Sequence, residues 1–348
     1  MEKSLLSGIA RWIHGEISTL TGSPLLSDLV LIVIGIAALL GIISLAAIVF
    51  TYAERKVCAF MQMRLGPNRV GGRFGLLQPV ADMLKLMSKE DIMPAGADKV
   101  LWALSPALLF VPAALVYAFF PFDAGAVLVD VNVGVFLLLA ISSQAVLPFL
   151  MGGYASNNKY SMIGGFRIVS QMISYEAPLL FSLLGILMIT GSMRLEDIVL
   201  AQQGGHWFLF LQPLAFNIFL ISAIAETNRT PFDLVEGESE IIAGPFTEYS
   251  GMRWALFFLA EYANLLTAAI LATTFFLGGY LGPSFLPGFV WFTLKSVAMV
   301  FLIMWFRWTF PRTRVDQMLS FSCFSDGRDH VRARSRVRRR PHCLAKDS

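Results

Sequence analysis

Long runs of apolar residues dominate the chain. Seven runs are near or above the roughly 20 residues that a helix needs to cross the hydrocarbon layer of a membrane. They cover residues 29–53, 100–120, 131–151, 168–190, 207–225, 254–277 and 285–306. Because lipid offers no hydrogen-bonding partner to the backbone, and because the runs lack the alternation of barrel strands, they are predicted to be helices. The pattern predicts an all-α, polytopic membrane helix bundle with seven spans.

Composition and charge predict how the chain is oriented in the membrane. Hydrophobic residues make up 56% of the 348 residues and charged residues 15%, which excludes an ordinary soluble domain. The connection after the first run carries eight Lys and Arg residues, whereas the second and sixth connections carry none. By the positive-inside rule, the odd-numbered connections face the cytoplasm. We therefore expect a multi-pass protein of the inner (plasma) membrane with its N-terminus on the periplasmic side.

The segment 74–89 has an amphipathic pattern. Its polar residues recur at steps of four, three and four, and apolar residues fill the positions between them; the polar positions are Gln78, Asp82, Lys85 and Lys89. This spacing predicts an interfacial amphipathic helix. The helix has two interpretations: it anchors the chain on the bilayer surface, or its apolar face roofs a cavity for a lipid-like substrate.

An acidic loop follows the fifth run. Within residues 226–253 six carboxylates accompany only two arginines; the acids are Glu226, Asp233, Glu236, Glu238, Glu240 and Glu248. Acidic residues contribute little to topology, so the cluster is free to serve another purpose. Close carboxylates raise one another's pKa and can share a proton. The loop is therefore either a solvated acidic surface or part of a proton pathway, and the apolar residues between its acids favour the second.

Three glutamates fall within the predicted spans or at their ends: Glu176, Glu226 and Glu261. A charged group at mid-bilayer costs roughly 2.5–3.5 kcal/mol on insertion scales, so such groups either form pathways or are paired. Glu176 is nine residues from Arg167, which places the two on opposite faces of one helix, and we expect Glu176 to face a different helix. A proton relay is favoured over purely structural ion pairs, because three successive spans each contribute one acid.

The sequence offers no signature of a metal or nucleotide site. Its three cysteines are isolated, which argues against a zinc site or an iron–sulfur cluster held by this chain alone. No glycine-rich phosphate-binding turn follows a strand. We predict no bound metal and no nucleic-acid partner.

Several long motifs resemble one known family. They are AERKV, MRLGPNRVGGRFGLLQPVADMLKLMSKE, SMIGGFRIVSQMISYEAP, AETNRTPFDLVEGESEIIAGPFTEYSGMRWALFFLAEYANL and RWTFPRTRVDQ, and the resemblance runs from about residue 29 to residue 320. Together they resemble the membrane protein at the heel of respiratory complex I. This family comprises the heel proteins of bacterial NADH:quinone oxidoreductases and their mitochondrial counterpart, NADH dehydrogenase subunit 1.

The resemblance implies a function and its residues. Such a chain binds no cofactor itself; quinone is its substrate, and iron–sulfur clusters lie in partner subunits. Its expected partners are the other membrane-arm subunits, the hydrophilic iron–sulfur subunits and the lipid bilayer. The residues implied for the quinone chamber are Arg55, Arg64, Asp82, Lys85 and Arg229. Those implied for proton relay and coupling are Glu176, Glu226, Glu261, Asp233, Glu236, Glu238, Glu240 and Glu248. The cytoplasmic side would be closed by Arg307, Arg312, Arg314 and Asp316.

The C-terminal end departs from the family. Where an eighth membrane helix is expected, residues 322–348 are rich in arginine. We predict a single transmembrane domain over residues 1–321 and a basic, disordered tail over 322–348. The tail is either a remnant of a frameshift or truncation, which is favoured, or a polybasic segment that binds anionic lipid.

Three other functions remain open on the sequence. The chain is alternatively a subunit of a related membrane-bound hydrogenase, a stand-alone ion or proton transporter, or a structural anchor. A transporter would also need buried acids and broken helices, yet the sequence has no clear pair of matching interrupted spans and no internal repeat. An anchor explains neither the acidic loop nor the intramembrane glutamates.

Overall fold

The computed structural model describes residues 24–72, 74–233, 241–283, 285–315 and 317–320. The regular elements in these residues are helices, accompanied by an isolated bridge between Asp123 and Ala126. The α-helices are α1 (Pro24–Met61), α2 (Gln78–Ser88), α3 (Lys99–Leu115), α4 (Gly134–Ser142), α5 (Val146–Ala155), α6 (Lys159–Thr190), α7 (Leu195–Ala201), α8 (Phe208–Leu211), α9 (Pro213–Glu226), α10 (Gly251–Phe276) and α11 (Gly288–Thr309). Short 3₁₀ turns lie at Val116–Phe119, Ser143–Ala145 and Gly244–Phe246.

The predicted all-α membrane bundle is confirmed, with a different count of long spans. Six helical segments of the described chain are long and apolar enough to cross a membrane, and one of them joins α4 and α5 through a 3₁₀ turn. The predicted span at 207–225 is instead divided into α8 and α9. Proline disfavours the helical conformation in the residue before it, and Gln212, which precedes Pro213, has φ −132° and ψ 63°. The seven-span prediction therefore becomes six long spans and the shorter apolar helix α9.

Local sequence signals explain where the long helices begin and end. The Asp98 carboxylate accepts hydrogen bonds from the first backbone N–H groups of α3, and Asn158 does the same at the start of α6. Gly191 ends α6 in the left-handed region, at φ 65°, and its N–H donates to the carbonyl of Leu187. A residue without a side chain adopts this conformation without steric cost.

Helix α10 lies at the centre of the bundle. Of its most apolar stretch 61% is buried, compared with 6% for α1. It packs against α3 on one side and α11 on another, while α6 packs against α5 and α9. The buried hydroxyl of Tyr117, just after α3, donates to the carbonyl of Ala263 in α10 at 2.6 Å. The most enclosed helix of the described chain is therefore the one that carries Glu261.

Side chains from two other elements hold the C-terminal end of α10. The ammonium group of Lys295 in α11 donates to the carbonyls of Leu277, Gly279 and Leu281 at 2.7, 3.1 and 2.6 Å. The Gln202 amide donates to the carbonyls of Thr274 and Phe275 at 3.0 and 3.2 Å. The three carbonyls that bind Lys295 follow Phe276, the last residue of α10, so Lys295 stabilises the turn after the helix. The carbonyl oxygens compensate its buried charge.

The predicted amphipathic helix is present as α2, shorter than the 74–89 pattern at both ends. Pro79 lies in its first turn, where the missing N–H costs no hydrogen bond. The helix packs against α1 and α10, and several of its apolar residues, including Met83, Leu84 and Met87, stay exposed. Helix α2 therefore lies against the two helices that carry Glu54 and Glu261.

Candidate functional site

A buried carboxylate, Glu54, organises the site. It lies two turns before the end of α1, and only 5% of the residue is exposed. Its two oxygens accept hydrogen bonds from Arg229 at 3.1 Å, Arg307 at 2.5 Å and the hydroxyl of Tyr262 at 2.7 Å. An ionised carboxylate is tolerated away from water when opposite charges and hydrogen bonds compensate it. Glu54 satisfies this condition through three different parts of the chain.

Arg229 connects Glu54 to a second acid. It follows the end of α9 and is 1% exposed. It forms an ion pair with Glu54 at 3.1 Å and with Glu261 of α10 at 3.3 Å, and its guanidinium carbon lies 4.8 Å from the centre of the Tyr262 ring. Burial alone would lower the pKa of Arg229, but the carboxylates of Glu54 and Glu261 raise it above its ordinary value. The arginine therefore stays positively charged between two acids.

A large cavity opens beside this network. Its volume is about 630 Å³, and it lies between α1, the segment that follows it, α2, α10 and α11. Its walls combine charged groups with apolar and aromatic surfaces; the lining residues are Thr51, Glu54, Arg55, Cys58, Arg64, Leu65, Gly66, Pro67, Gln78, Phe258, Glu261, Tyr262, Arg307 and Trp308. We call this the main cavity. Binding sites for small molecules are usually concave, about 300–1,000 Å³ in volume and largely apolar, with a few directed polar groups.

The predicted chamber residues occupy different positions around the main cavity. Arg55 and Arg64 line it directly. Asp82 lies behind the wall, where it forms an ion pair with Arg55 at 2.5 Å and accepts a hydrogen bond from the Gln78 amide at 3.3 Å. Lys85 is one turn further along α2, exposed and outside the cavity wall. Asp82 therefore fixes two groups that face the cavity, whereas Lys85 does not reach it.

Two small cavities lie within the bundle, each about 30 Å³ in volume. The second cavity is lined by Phe149, Glu226, Thr227, Asn228, Phe246, Phe257, Glu261, Asn264 and Arg307. The third is lined by Pro112, Ala113, Val116, Ile141, Ser142, Ala145, Met172, Leu179, Phe219, Ala223, Glu226, Thr227, Asn264, Thr267, Ala268 and Leu271. Glu261 is shared by the main and second cavities, and Glu226 by the second and third.

The other predicted relay acids divide into three groups. Glu176 of α6 lies close enough to Glu226 for their charges to interact, as the expectation that it faces another helix requires. Asp233 is within electrostatic range of Glu261. Glu248 accepts a hydrogen bond from the Asn158 amide at 2.7 Å, at the start of α6 and away from the three cavities. Glu236, Glu238, Glu240 and Asp316 lie outside the described residues, as does the tail 322–348.

Sequence reasoning did not select Glu54 or Tyr262. The partners of Glu54 are separated from it by 175, 208 and 253 positions, so no local spacing could reveal them. One feature of the sequence could have indicated the role of Glu54. Glu54 directly follows the first apolar run, within the quoted AERKV motif, and an acid at that place needs a cationic partner once the run is embedded.

The described residues contain no group of three or more His, Cys, Asp or Glu side chains that could hold a metal ion. Cys58 is buried and lines the main cavity, 3.7 Å from a guanidinium nitrogen of Arg64. The arrangement is therefore suited to binding a molecule through arginines, an amide and aromatic surfaces, and to exchanging protons among carboxylates.

Comparisons with known proteins agree with one another. The model of the NADH dehydrogenase family matches residues 34–324. Three relatives, each named as the H subunit of NADH-quinone oxidoreductase, come from Geobacillus kaustophilus, Bacillus cytotoxicus and Carboxydothermus hydrogenoformans. The first is 53% identical over 83% of this chain and 87% of its own length. The second is 56% identical over 77% of this chain and 81% of its own length. The third is 46% identical over 92% of this chain and 92% of its own length. With a family model that matches most of its length and relatives at this level of identity, the chain belongs to the NADH dehydrogenase family.

Proposed function

We propose that the chain is the membrane subunit of a proton-translocating NADH:quinone oxidoreductase and that its main cavity forms much of the quinone chamber. The names of the relatives support the assignment to this complex. The observation that carries the assignment of the cavity is its wall, where the buried carboxylate of Glu54, paired with Arg229 behind it, lines a space of about 630 Å³. The hydrogenase and stand-alone transporter alternatives are not favoured, because these relatives cover most of the chain.

The cavity wall fits a quinone by its chemistry. Phe258, Trp308 and Leu65 offer apolar surface to a flat ring and an isoprenoid tail, since aromatic faces stack favourably. The Arg55 and Arg64 guanidinium groups and the Gln78 amide carry N–H donors, and the two quinone oxygens are acceptors. The electrons come from an iron–sulfur cluster of a partner subunit. Other membrane subunits and lipid would cover the exposed apolar helices.

Reduction changes the charge in the cavity. Quinone takes up two electrons and two protons to become quinol, so negative charge develops on its oxygens before protonation is complete. That charge attracts the cationic side chains that compensate Glu54 and Glu261, chiefly Arg307 and Arg229. A carboxylate that loses part of its compensation binds a proton more readily. Quinone chemistry is thereby linked to the protonation of buried acids.

The acids behind the cavity continue this coupling. Glu261 adjoins the main cavity, Glu226 comes next through the second cavity, and Glu176 interacts with Glu226. We assign proton relay to these three and a supporting electrostatic role to Asp233, Glu236, Glu238, Glu240 and Glu248. The charge distribution along the chain supports an N-terminus on the periplasmic side of a bacterial inner membrane.

Asp82→Asn is expected to raise the KM for quinone severalfold with a smaller effect on kcat. The substitution removes the charge that holds Arg55 against the cavity, and Arg55 is then free to reorient. Steady-state kinetics of the purified complex with a short-chain quinone would measure this. Lys85→Met on the same helix is the matched control and should change the KM less, because Lys85 does not line the cavity. An unchanged KM in the Asp82 variant, with the complex assembled, would remove Asp82 and Arg55 from the chamber.

A further inference from the structure

The uncharged side chain of Asn264 lines both the second and the third cavity, as does Thr227. Glu261 and Thr267 lie three residues before and after Asn264 on α10, so the three side chains follow one face of this helix. This row places a carboxyl, an amide and a hydroxyl in succession along the walls of the two cavities.

The two cavities have the size and polarity of water sites. A buried water needs a space of about 10–15 Å³ and two to four polar partners, and each cavity measures about 30 Å³. Glu226, Asn228, Glu261 and Asn264 supply polar groups to the second cavity. The third is mostly apolar, and its polar residues include Glu226, Thr227, Asn264 and Thr267.

Two buried oxygens support the same conclusion. Within the described residues, the Asn228 side-chain oxygen in the second cavity and the Thr267 hydroxyl in the third form no hydrogen bond of regular geometry, although the Tyr117 hydroxyl lies near Thr267. Thr267 is 7% exposed. Leaving a buried polar atom unpaired is costly, and an ordered water would satisfy both of these oxygens.

We propose that the second and third cavities bind water and that Asn264 is a positioning residue, whose amide orients a water between Glu261 and Glu226 in the second cavity and a water beside Glu226 in the third. The proposal rests on the proposed function, because it assigns a path for the relay protons. An amide both donates and accepts hydrogen bonds but does not titrate near neutral pH. It therefore orders a water without trapping the proton. A protonated Glu261 donates its proton to the water, which releases another of its protons to the Glu226 carboxylate, so the water is regenerated.

The test uses the intact complex reconstituted in vesicles, with turnover and the number of protons translocated per electron as readouts. Asn264→Leu keeps a similar volume and removes both hydrogen-bonding functions. Thr267→Val removes a hydroxyl with almost no change of shape. Each variant should lower coupled turnover by about twofold to tenfold, the range for the loss of one hydrogen bond in the rate-limiting step. Asn264→Ser, which leaves a hydroxyl and room for a further water, should recover part of the loss.

Thr274→Val is the matched control. Thr274 is buried on the same helix, but its hydroxyl donates to carbonyls of its own helix and faces none of the three cavities. The Thr274→Val variant should retain the turnover and the proton ratio of the parent complex. A changed solvent isotope effect in the Asn264 and Thr267 variants, and not in the control, would identify proton transfer as the affected step.

Normal turnover and proton ratio in both Asn264→Leu and Thr267→Val would overturn the proposal. If Asn264→Leu fails to assemble, Asn264→Ser and Thr267→Val decide together, because both are small changes; normal turnover and proton ratio in both would overturn the proposal. A different result would refute the proposed function. If Asp82→Asn and the Asn264 variants all leave quinone kinetics unchanged in an assembled complex, the chamber assignment is wrong; a response of Asp82→Asn alone refutes only the water sites.

Discussion

Replacing Glu54 with Gln is expected to reduce quinone reduction by about tenfold or more, while electron transfer from NADH to soluble acceptors continues. The substitution keeps the volume and removes the charge that compensates Arg229 and Arg307. A buried cation that loses its partner is strongly unfavourable, so the arginines must rearrange at the cavity wall. The two activities can be compared in the same purified complex, because soluble acceptors receive electrons upstream of the quinone chamber.

Two further variants make this experiment specific. Glu54→Asp retains the charge on a shorter side chain and should recover part of the activity. Glu196→Gln removes an acid from a cluster around Arg194, which is remote from the main cavity, and should behave as the parent does. Equal loss of both activities in an assembled Glu54→Gln complex would mean that Glu54 supports the assembly as a whole rather than the quinone site.

Replacing Glu176, Glu226 and Glu261 with Gln is expected to slow quinone reduction severalfold or to lower the number of protons translocated per electron. Gln has a similar volume and cannot carry a proton. The effect should be largest for Glu226, because this residue lines both small cavities and interacts with Glu176. Proton uptake and release by vesicles containing the intact complex measure the ratio directly.

Glu248→Gln provides a comparison for these relay variants. Glu248 accepts a hydrogen bond from Asn158 away from the cavities, and its substitution should alter coupling less. Full turnover and an unchanged proton ratio in a triple Gln variant that assembles normally would refute the relay. The three glutamates would then be structural ion-pairing groups, which is the alternative that their sequence pattern left open.

The sequence was sufficient for most of the helices, since long apolar runs have few structural solutions in a bilayer. It also predicted α2, where the steps between Gln78, Asp82 and Lys85 match the period of a helix. The break between α8 and α9 at Gln212 could not be predicted, because the apolar run continues across it. Its cause is a single proline, Pro213, within a stretch whose hydropathy alone suggests one span.

The site was less accessible from the sequence. Arg55, Arg64 and Glu261 were selected as functional and do line the main cavity. Glu54 was not selected, because its role depends on arginines that approach it from distant parts of the chain. Periodicity identifies residues that share one helix face, whereas contacts between helices depend on how the bundle packs. Long-range ion pairs of this kind therefore emerge only from the three-dimensional structure.

The most direct test of the central claim is to locate the quinone by covalent labelling. A photoreactive quinone analogue would be irradiated in the intact complex within its native membrane, and the labelled peptides identified by mass spectrometry. Labelling should be concentrated at Gln78 and in the segments that line the main cavity, at residues 51–67, 258–262 and 307–308, and an excess of unlabelled quinone should suppress it. Competed labelling of another surface of the chain, with these three segments unlabelled, would contradict the assignment of the main cavity as the quinone chamber.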